Sequence, residues 1–174
     1  MPEFMDVVDK NDRVIGKATR EEIHNSGMWH RGVHVLVFNS KNELFLPLRS
    51  ARKDKFPETY DCSVSEHVKS GETFDEAALR GMEEELKIIN PVIKRLLKFR
   101  MNYGPNDNTI AVLYKCKCKD KVEINRVEVK NAKFMSLSKI KELLNKNESK
   151  FAPWTREILK WYFRLPSKIE EIKE

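Results

Sequence analysis

The stretch SGETFDEAALRGMEEELKI, residues 70–88, decides the fold of this chain. Thr73 and Glu76 stand three residues apart near its start, in the pattern of a capping box, so we predict a helix that begins just after Thr73. Asn90 and Pro91 follow the stretch and predict the end of the helix. This helix carries three consecutive glutamates, and the function depends on where their side chains point.

The three glutamates are not equivalent. At about 100° per residue, Glu85 falls inside an apolar stripe, Glu84 lies at its edge and Glu83 points to solvent. The stripe consists of Phe74, Ala78, Met82 and Leu86. A carboxylate that faces the core is unfavourable without a partner, so Glu85 requires either a cation from the chain or a metal ion. The candidate ion-pair partners are Arg49, Arg52 and Arg80. Spacing alone leaves both alternatives open.

Gly81 lies beside this stripe. A glycine inside a helix costs about 1 kcal/mol relative to alanine. A glycine at position 81 therefore indicates that another group approaches the helix backbone closely, or else that the helix simply tolerates the glycine.

The remaining elements predict an α/β fold with a mixed sheet. We expect extended segments at residues 7–17, 32–39, 43–49, 92–101, 109–118 and 122–129, a short helix after the capping box at residues 19–22, and helices at 138–145 and 153–163. Strands, a helix, more strands and then helices do not alternate as in a doubly wound sheet. Pro47 suggests that its strand lies at an edge or contains a bulge.

Length and composition indicate a single domain spanning residues 1–174, with a core at about 7–163. Hydrophobic residues make up 40% of the 174 residues, and the net charge is +6, which suits anionic ligands such as phosphates. The three cysteines include no pair with zinc-site or redox spacing, so we expect them to be reduced. With no apolar run of membrane-spanning length and no secretory signal, we expect a cytoplasmic protein that is a monomer or homodimer and binds neither membrane nor nucleic acid.

The glutamate-rich helix resembles the signature of the Nudix hydrolase family, whose fold is an α/β/α sandwich around a mixed central sheet. The matching positions are Gly71, Glu72, Arg80, Met82, Glu84, Glu85 and Ile88. Three positions differ from the signature: Glu66 replaces its leading glycine, Gly81 replaces the glutamate after the arginine, and Lys87 replaces its late glycine. In the family, the glutamate missing at Gly81 is a metal ligand and often the base.

Within the family, the chain is similar to the isopentenyl-diphosphate isomerase-like branch. Residues 28–39 resemble the segment that carries a metal-binding histidine, which falls on His30. Ser65 and His67 match the isomerase's catalytic cysteine and a second metal histidine, so the cysteine is replaced. The isomerase's later glutamates fall near Asp107 and Thr109.

The resemblance implies a Mg²⁺- or Mn²⁺-dependent pyrophosphohydrolase that acts on a nucleoside diphosphate or another small diphosphate. It implies Glu84, Glu85 and His67 as metal ligands and Arg80 as the residue that orients the helix carboxylates. Arg49 and Lys53 match residues that hold phosphate. The resemblance does not assign the general base, for which Glu66 and Glu128 are the two candidates. His30 is either a ligand or a structural residue, and His24 is expected at the surface.

Two other functions stay open. One is a true isopentenyl-diphosphate isomerase, which Ser65 disfavours because Cys62 lies three residues from the required position. The other is a catalytically impaired domain that only binds a nucleotide or protein, which Gly81 favours.

Overall fold

The computed structural model describes residues 1–119 and 121–174. In chain order the elements are β1 (Phe4–Val8), β2 (Val14–Thr19), α1 (Arg20–Ser26), β3 (His30–Phe38), β4 (Leu44–Arg49), β5 (Val64–His67), α2 (Phe74–Leu86), β6 (Ile93–Asn102), β7 (Asn108–Lys117), β8 (Val129–Met135), α3 (Leu137–Lys146), α4 (Pro153–Tyr162) and β9 (Glu170–Glu171).

The main sheet is mixed. Its strand order is β8-β4-β3-β7-β6-β9, and β5 pairs with β3 beside this path. β3 and β7 are parallel, whereas the other pairs are antiparallel. β1 and β2 form a separate antiparallel hairpin.

Helices cover both faces of the main sheet because the residues of β3 alternate between two apolar clusters. Val33, Val35 and Val37 pack with the buried face of α2. Leu36 and Phe38 pack on the other side, in the cluster that contains residues of α3 and α4. This two-sided burial confirms the predicted α/β/α sandwich. None of the helices in the described ranges is long and apolar enough to cross a membrane.

Helix α2 starts where the sequence predicts and ends earlier. The Thr73 hydroxyl accepts a hydrogen bond from the Glu76 amide at 3.2 Å, and the Thr73 amide donates to the Glu76 carboxylate at 2.8 Å. The helix ends at Leu86 because Lys87 adopts a left-handed conformation with φ 58°. The prediction that the Asn-Pro pair at residues 90 and 91 ends it was therefore wrong.

Three other elements differ from the predictions. The strand expected at 122–129 was placed too early, since β8 begins at residue 129, and neither β5 nor β9 was predicted. Pro47 does not lie on an edge strand, because β4 runs between β8 and β3. Its pairing with β3 is limited to Phe38 and Leu44, so Pro47 interrupts few hydrogen bonds, and a bulge follows in the β4–β8 pair at Leu48 and Arg49.

The neighbours of β3 create the opening that forms the site. β4 pairs with the last residue of β3, whereas β5 pairs with residues 32–35 in its first half. β4 and β5 thus lie on the same side of β3 and separate from each other. Side chains at the start of β3, from β4 and from β5 can therefore converge.

Candidate active site

A cavity of about 460 Å³ lies where β4 and β5 separate. Its wall combines imidazoles, carboxylates, basic side chains and a few aromatic rings, which makes it a polar pocket of a size that suits a small ligand. The charged and imidazole lining residues include His24, His30, His67, Glu66, Glu85, Arg49, Lys53 and Lys55. Of the residues predicted from sequence, Glu85, His67, Arg49 and Lys53 line this cavity, whereas Glu84 and Arg80 do not.

Arg80 organises the acidic side of the site from helix α2. Its guanidinium binds both oxygens of Glu72, at 2.8 and 3.1 Å, and donates to the backbone carbonyl of His67 at 2.8 Å. Nη1 also lies 3.3 Å from one oxygen each of Glu66 and Glu84. The Glu84 side chain is 55% exposed, so of the two predicted helix ligands it is the more accessible to solvent.

The Glu85 side chain is partly buried at the cavity wall, and its contact is with another carboxyl group. Among the described residues, none of the arginines considered as ion-pair partners lies within salt-bridge distance: Arg49 pairs with Asp61, and Arg80 pairs with Glu66, Glu72 and Glu84. Instead, Glu85 lies within hydrogen-bonding contact of Glu66. The ion-pair alternative for Glu85 thus finds no partner in the described chain.

Burial and charge act together on this carboxyl pair. Burial, followed by the negative charge of Glu66, raises the pKa of Glu85 well above its ordinary value. Burial also raises the pKa of Glu66. Two partly buried carboxyl groups in contact, with no cation from the described residues on Glu85, form a donor set that fits a hard divalent cation such as Mg²⁺ or Mn²⁺.

Three histidines form a second cluster at the same cavity. One ring nitrogen from each of His24, His30 and His67 lies within 4.8 Å of the other two. Asp107 is close by, with Oδ1 3.6 Å from His24 Nε2 and 3.7 Å from His30 Nε2. Three imidazoles and a carboxylate are a donor set that fits a transition-metal ion better than Mg²⁺.

The protonation of these histidines agrees with that donor chemistry. Burial lowers the pKa of His30 to about 4 and the pKa of His67 well below its ordinary value. Both rings are therefore neutral at pH 7, and the neutral imidazole is the form that binds metal ions.

The position of His24 corrects the sequence prediction. We expected His24 at the surface, but its side chain is only 14% exposed and contacts the other two rings, with centroids 5.0 Å from His30 and 5.4 Å from His67. The cluster draws one ring each from α1, β3 and β5. Sequence spacing does not signal such a set, because its members meet only through tertiary packing.

The basic residues predicted to hold phosphate already have carboxylate partners. Arg49 Nη1 lies 2.7 Å from Asp61 Oδ2, and Lys53 Nζ lies 3.0 Å from Glu128 Oε2. Arg49 is 15% exposed and Lys53 31% exposed, so Lys53 is the more accessible cation. Lys55 adds a third positive charge, 3.8 Å from Asp107.

A buried hydrogen-bond chain runs through Ser65, the residue at the isomerase's cysteine position. The Ser65 hydroxyl donates to Asp61 Oδ1 at 2.9 Å. His34 Nδ1 must then donate to Ser65 Oγ, also at 2.9 Å, and His34 Nε2 accepts from the Tyr103 hydroxyl at 2.9 Å. Burial keeps His34 neutral by lowering its pKa to about 4.

Cys62 does not take the place of the missing thiol. It is 1% exposed, and burial raises its pKa above the ordinary value for a thiol. Its sulfur lies 3.5 Å from the Thr155 hydroxyl of α4. A buried thiol with a raised pKa is a poor source of thiolate at neutral pH.

Known proteins match this chain over most of its length. Residues 28–162 match the family described as the NUDIX domain. The chain belongs to the Nudix family. A Nostoc protein named "Uncharacterized Nudix hydrolase all7351" is 35% identical over 148 residues, which cover 84% of this chain and 88% of that protein. Isopentenyl-diphosphate Delta-isomerase 2 of Photorhabdus laumondii is 30% identical over 168 residues, covering 91% of this chain and 92% of the relative.

Solved Nudix structures share the fold. The crystal structure of DR0079 from Deinococcus radiodurans has a TM-score of 0.73 at 24% identity, covering 93% of this chain and 98% of that chain. The NUDIX domain of Shewanella oneidensis NrtR, in complex with ADP ribose, has a TM-score of 0.61 at 15% identity, covering 77% of this chain and 86% of that one. The family match and the relatives confirm the predicted Nudix family with isomerase-like relatives, and these structures confirm the fold.

Proposed function

We propose that this protein is a metal-dependent pyrophosphohydrolase that cleaves a nucleoside diphosphate or another small diphosphate. The observation that carries the proposal is the partly buried Glu85 carboxyl, which lines the cavity, contacts Glu66 and lacks a cation among the described residues. The hydrolase names of the Nudix relatives support the general reaction. The ADP ribose bound to the Shewanella domain supports a diphosphate as substrate.

Glu85, with Glu84 beside it on α2, would hold Mg²⁺ or Mn²⁺ at the acidic side of the cavity. A bound divalent cation would neutralise phosphate charge and lower the pKa of a bound water molecule. Arg80 keeps the acidic cluster in place through its two bonds to Glu72 and its bond to the His67 carbonyl. His67 would bind a metal ion together with His24 and His30 of the histidine cluster.

Lys53 and Arg49 would bind the phosphate groups opposite these carboxylates. Both line the cavity, and charge-assisted contacts from ammonium and guanidinium groups suit phosphate oxygens. Glu128, the partner of Lys53, is 54% exposed, so an incoming phosphate can displace it at small cost. The cavity of about 460 Å³ suits one nucleotide-sized molecule.

A screen for turnover tests this proposal. Chelator-treated protein with added Mg²⁺ or Mn²⁺ is given nucleoside di- and triphosphates, nucleotide sugars and isopentenyl diphosphate. Release of phosphate, pyrophosphate or phosphate monoesters is measured together with isomerisation. We expect metal-dependent phosphate release from at least one diphosphate. Glu85→Gln should abolish most of this release, whereas Glu83→Gln, an exposed position on the same helix, should retain it.

The isomerase is the second candidate, because the histidine cluster and the 30% identical Photorhabdus relative favour it. Ser65 and the buried Cys62 oppose it, since neither offers a reactive thiol. Robust isomerisation by the parent protein would replace our proposal with this one. Tight nucleotide binding without any turnover would instead identify an impaired, binding-only domain.

A further inference from the structure

The backbone of Gly81 on α2 is covered by the side chain of Glu66 from β5. A Cβ atom at position 81 would lie 2.8 Å from Glu66 Cγ and 2.7 Å from Val64 Cγ1, closer than side-chain carbons approach each other. Of the two alternatives for this glycine, the close approach of another group is therefore the one that holds. The space that any side chain at position 81 would need is therefore filled mainly by Glu66 and Val64.

The β5 strand explains why Glu66 reaches this place. Side chains two residues apart in a strand point to the same face, and Val64 is buried in the apolar cluster that contains the inner face of α2. Glu66 therefore also points toward α2, beyond Val64. Its carboxylate ends at the cavity, 3.3 Å from Arg80 Nη1 and in contact with the Glu85 carboxyl.

The charges around Glu66 balance only when Glu85 carries a proton or when a further cation binds. Arg80 is the cation that contacts Glu66, and it already binds both oxygens of Glu72 at shorter distances than the 3.3 Å to Glu66. Glu84 shares the same nitrogen of Arg80. A purely structural Glu66 would place a second carboxyl group against Glu85 and gain only the 3.3 Å contact with Arg80. A divalent cation between the two carboxylates removes their repulsion.

We infer that Glu66 is a metal ligand, which supplies from β5 the carboxylate that position 81 of α2 lacks. This inference rests on the proposed function, because it concerns the same metal site as Glu85. Gly81 and Glu66 then form one structural unit: the glycine leaves the volume that the glutamate occupies. The site keeps its carboxylates although one of them comes from a different element of the fold.

Mg²⁺ binding by single variants tests the inference. Thermal melts of chelator-treated parent, Glu66→Gln, Glu85→Gln and Glu83→Gln are recorded across a Mg²⁺ titration. Glutamine keeps the volume of Glu66 and can still accept the Arg80 hydrogen bond, so the fold should persist in chelator. We expect the Mg²⁺ concentration that produces a given rise in Tm to increase at least about tenfold in Glu66→Gln and Glu85→Gln, because stabilisation by a bound ion follows the ratio of its concentration to its dissociation constant. Glu83→Gln should match the parent.

A Zn²⁺ titration of the same variants checks the histidine cluster. Because imidazoles bind that ion, Glu66→Gln should keep the Zn²⁺ response of the parent. Parent-like Mg²⁺ binding by Glu66→Gln, with binding lost in Glu85→Gln, would overturn the inference and leave the proposed function intact. A large fall of Tm in chelator for Glu66→Gln would identify a structural partner of Arg80 and also overturn it. No Mg²⁺ response in the parent would overturn both.

Discussion

Replacing Gly81 by alanine measures how tightly the α2 backbone is packed against β5. In an open helix the substitution would stabilise the protein by about 1 kcal/mol. Here the new methyl group would lie 2.7 Å from Val64 Cγ1 and 2.8 Å from Glu66 Cγ. Forcing a methyl group into a filled site costs roughly 1–3 kcal/mol. The opposing contributions predict a net loss of about 1 kcal/mol, which lowers Tm by about 2–4 °C for a chain of this size.

Urea unfolding followed by circular dichroism, in chelator, gives this free energy directly. Gly16→Ala is the control, because a Cβ there would meet only Val7 Cβ at an ordinary 3.8 Å. The double variant Glu66→Ala/Gly81→Ala removes the Cγ atom and should recover part of the loss, with a coupling of about 0.5–2 kcal/mol. A gain of about 1 kcal/mol in Gly81→Ala alone would refute the crowding argument.

Three further predictions concern charge and protonation. Glu85→Gln should leave the metal-free protein at least as stable as the parent at pH 7–8. The pKa of Glu85 is raised, so the stability that this carboxyl contributes is present only at low pH and is lost as pH rises. Thermal melts in chelator check this, with Glu83→Gln expected to match the parent. Burial lowers the pKa of His34 from 6.5 to about 4, so the free energy of unfolding should fall by about 3 kcal/mol through this residue as pH drops from 6.5 to about 4. His34→Gln should lose that much less stability over the same pH range in urea titrations. Equal losses in both proteins would contradict this prediction. Arg80→Met should destabilise the protein by roughly 3–5 kcal/mol by stranding the carboxylates of Glu72 and its neighbours, and a loss below about 1 kcal/mol in urea unfolding would show that these pairs contribute little.

The elements with local signals were predictable from sequence. The capping box at Thr73 forms both of its hydrogen bonds, and the helical projection correctly separated the inward Glu85 from the exposed Glu83. The helix end was missed because the left-handed Lys87 carries no strong sequence signal, whereas the later Asn-Pro pair does. β5 was missed because a four-residue strand with three polar residues, ending in His67, does not show a clear alternating pattern.

The parts of the site that depend on tertiary packing were not predictable. His24 belongs to a seven-residue helix with one buried residue, so its own surroundings in sequence are those of a surface position. It enters the histidine cluster because α1 packs near the start of β3, where His30 lies. The replacement of a side chain at Gly81 by one from another element is likewise visible only in three dimensions. The predicted roles of all the site residues stay predictions: Glu84, Glu85, Arg80, His67, Arg49 and Lys53.

The short strand β5 connects the two donor clusters of the cavity. Glu66 and His67 are consecutive, so their side chains leave the strand in opposite directions, one toward α2 and the other toward the histidines on α1 and β3. Arg80 fixes both at once, because it contacts the Glu66 carboxylate through Nη1 and the His67 carbonyl through Nη2. A lysine at position 80 has a single nitrogen and could not make these contacts together with the two bonds to Glu72. The arginine therefore sets the spacing between a carboxylate site suited to Mg²⁺ and an imidazole site suited to a transition metal.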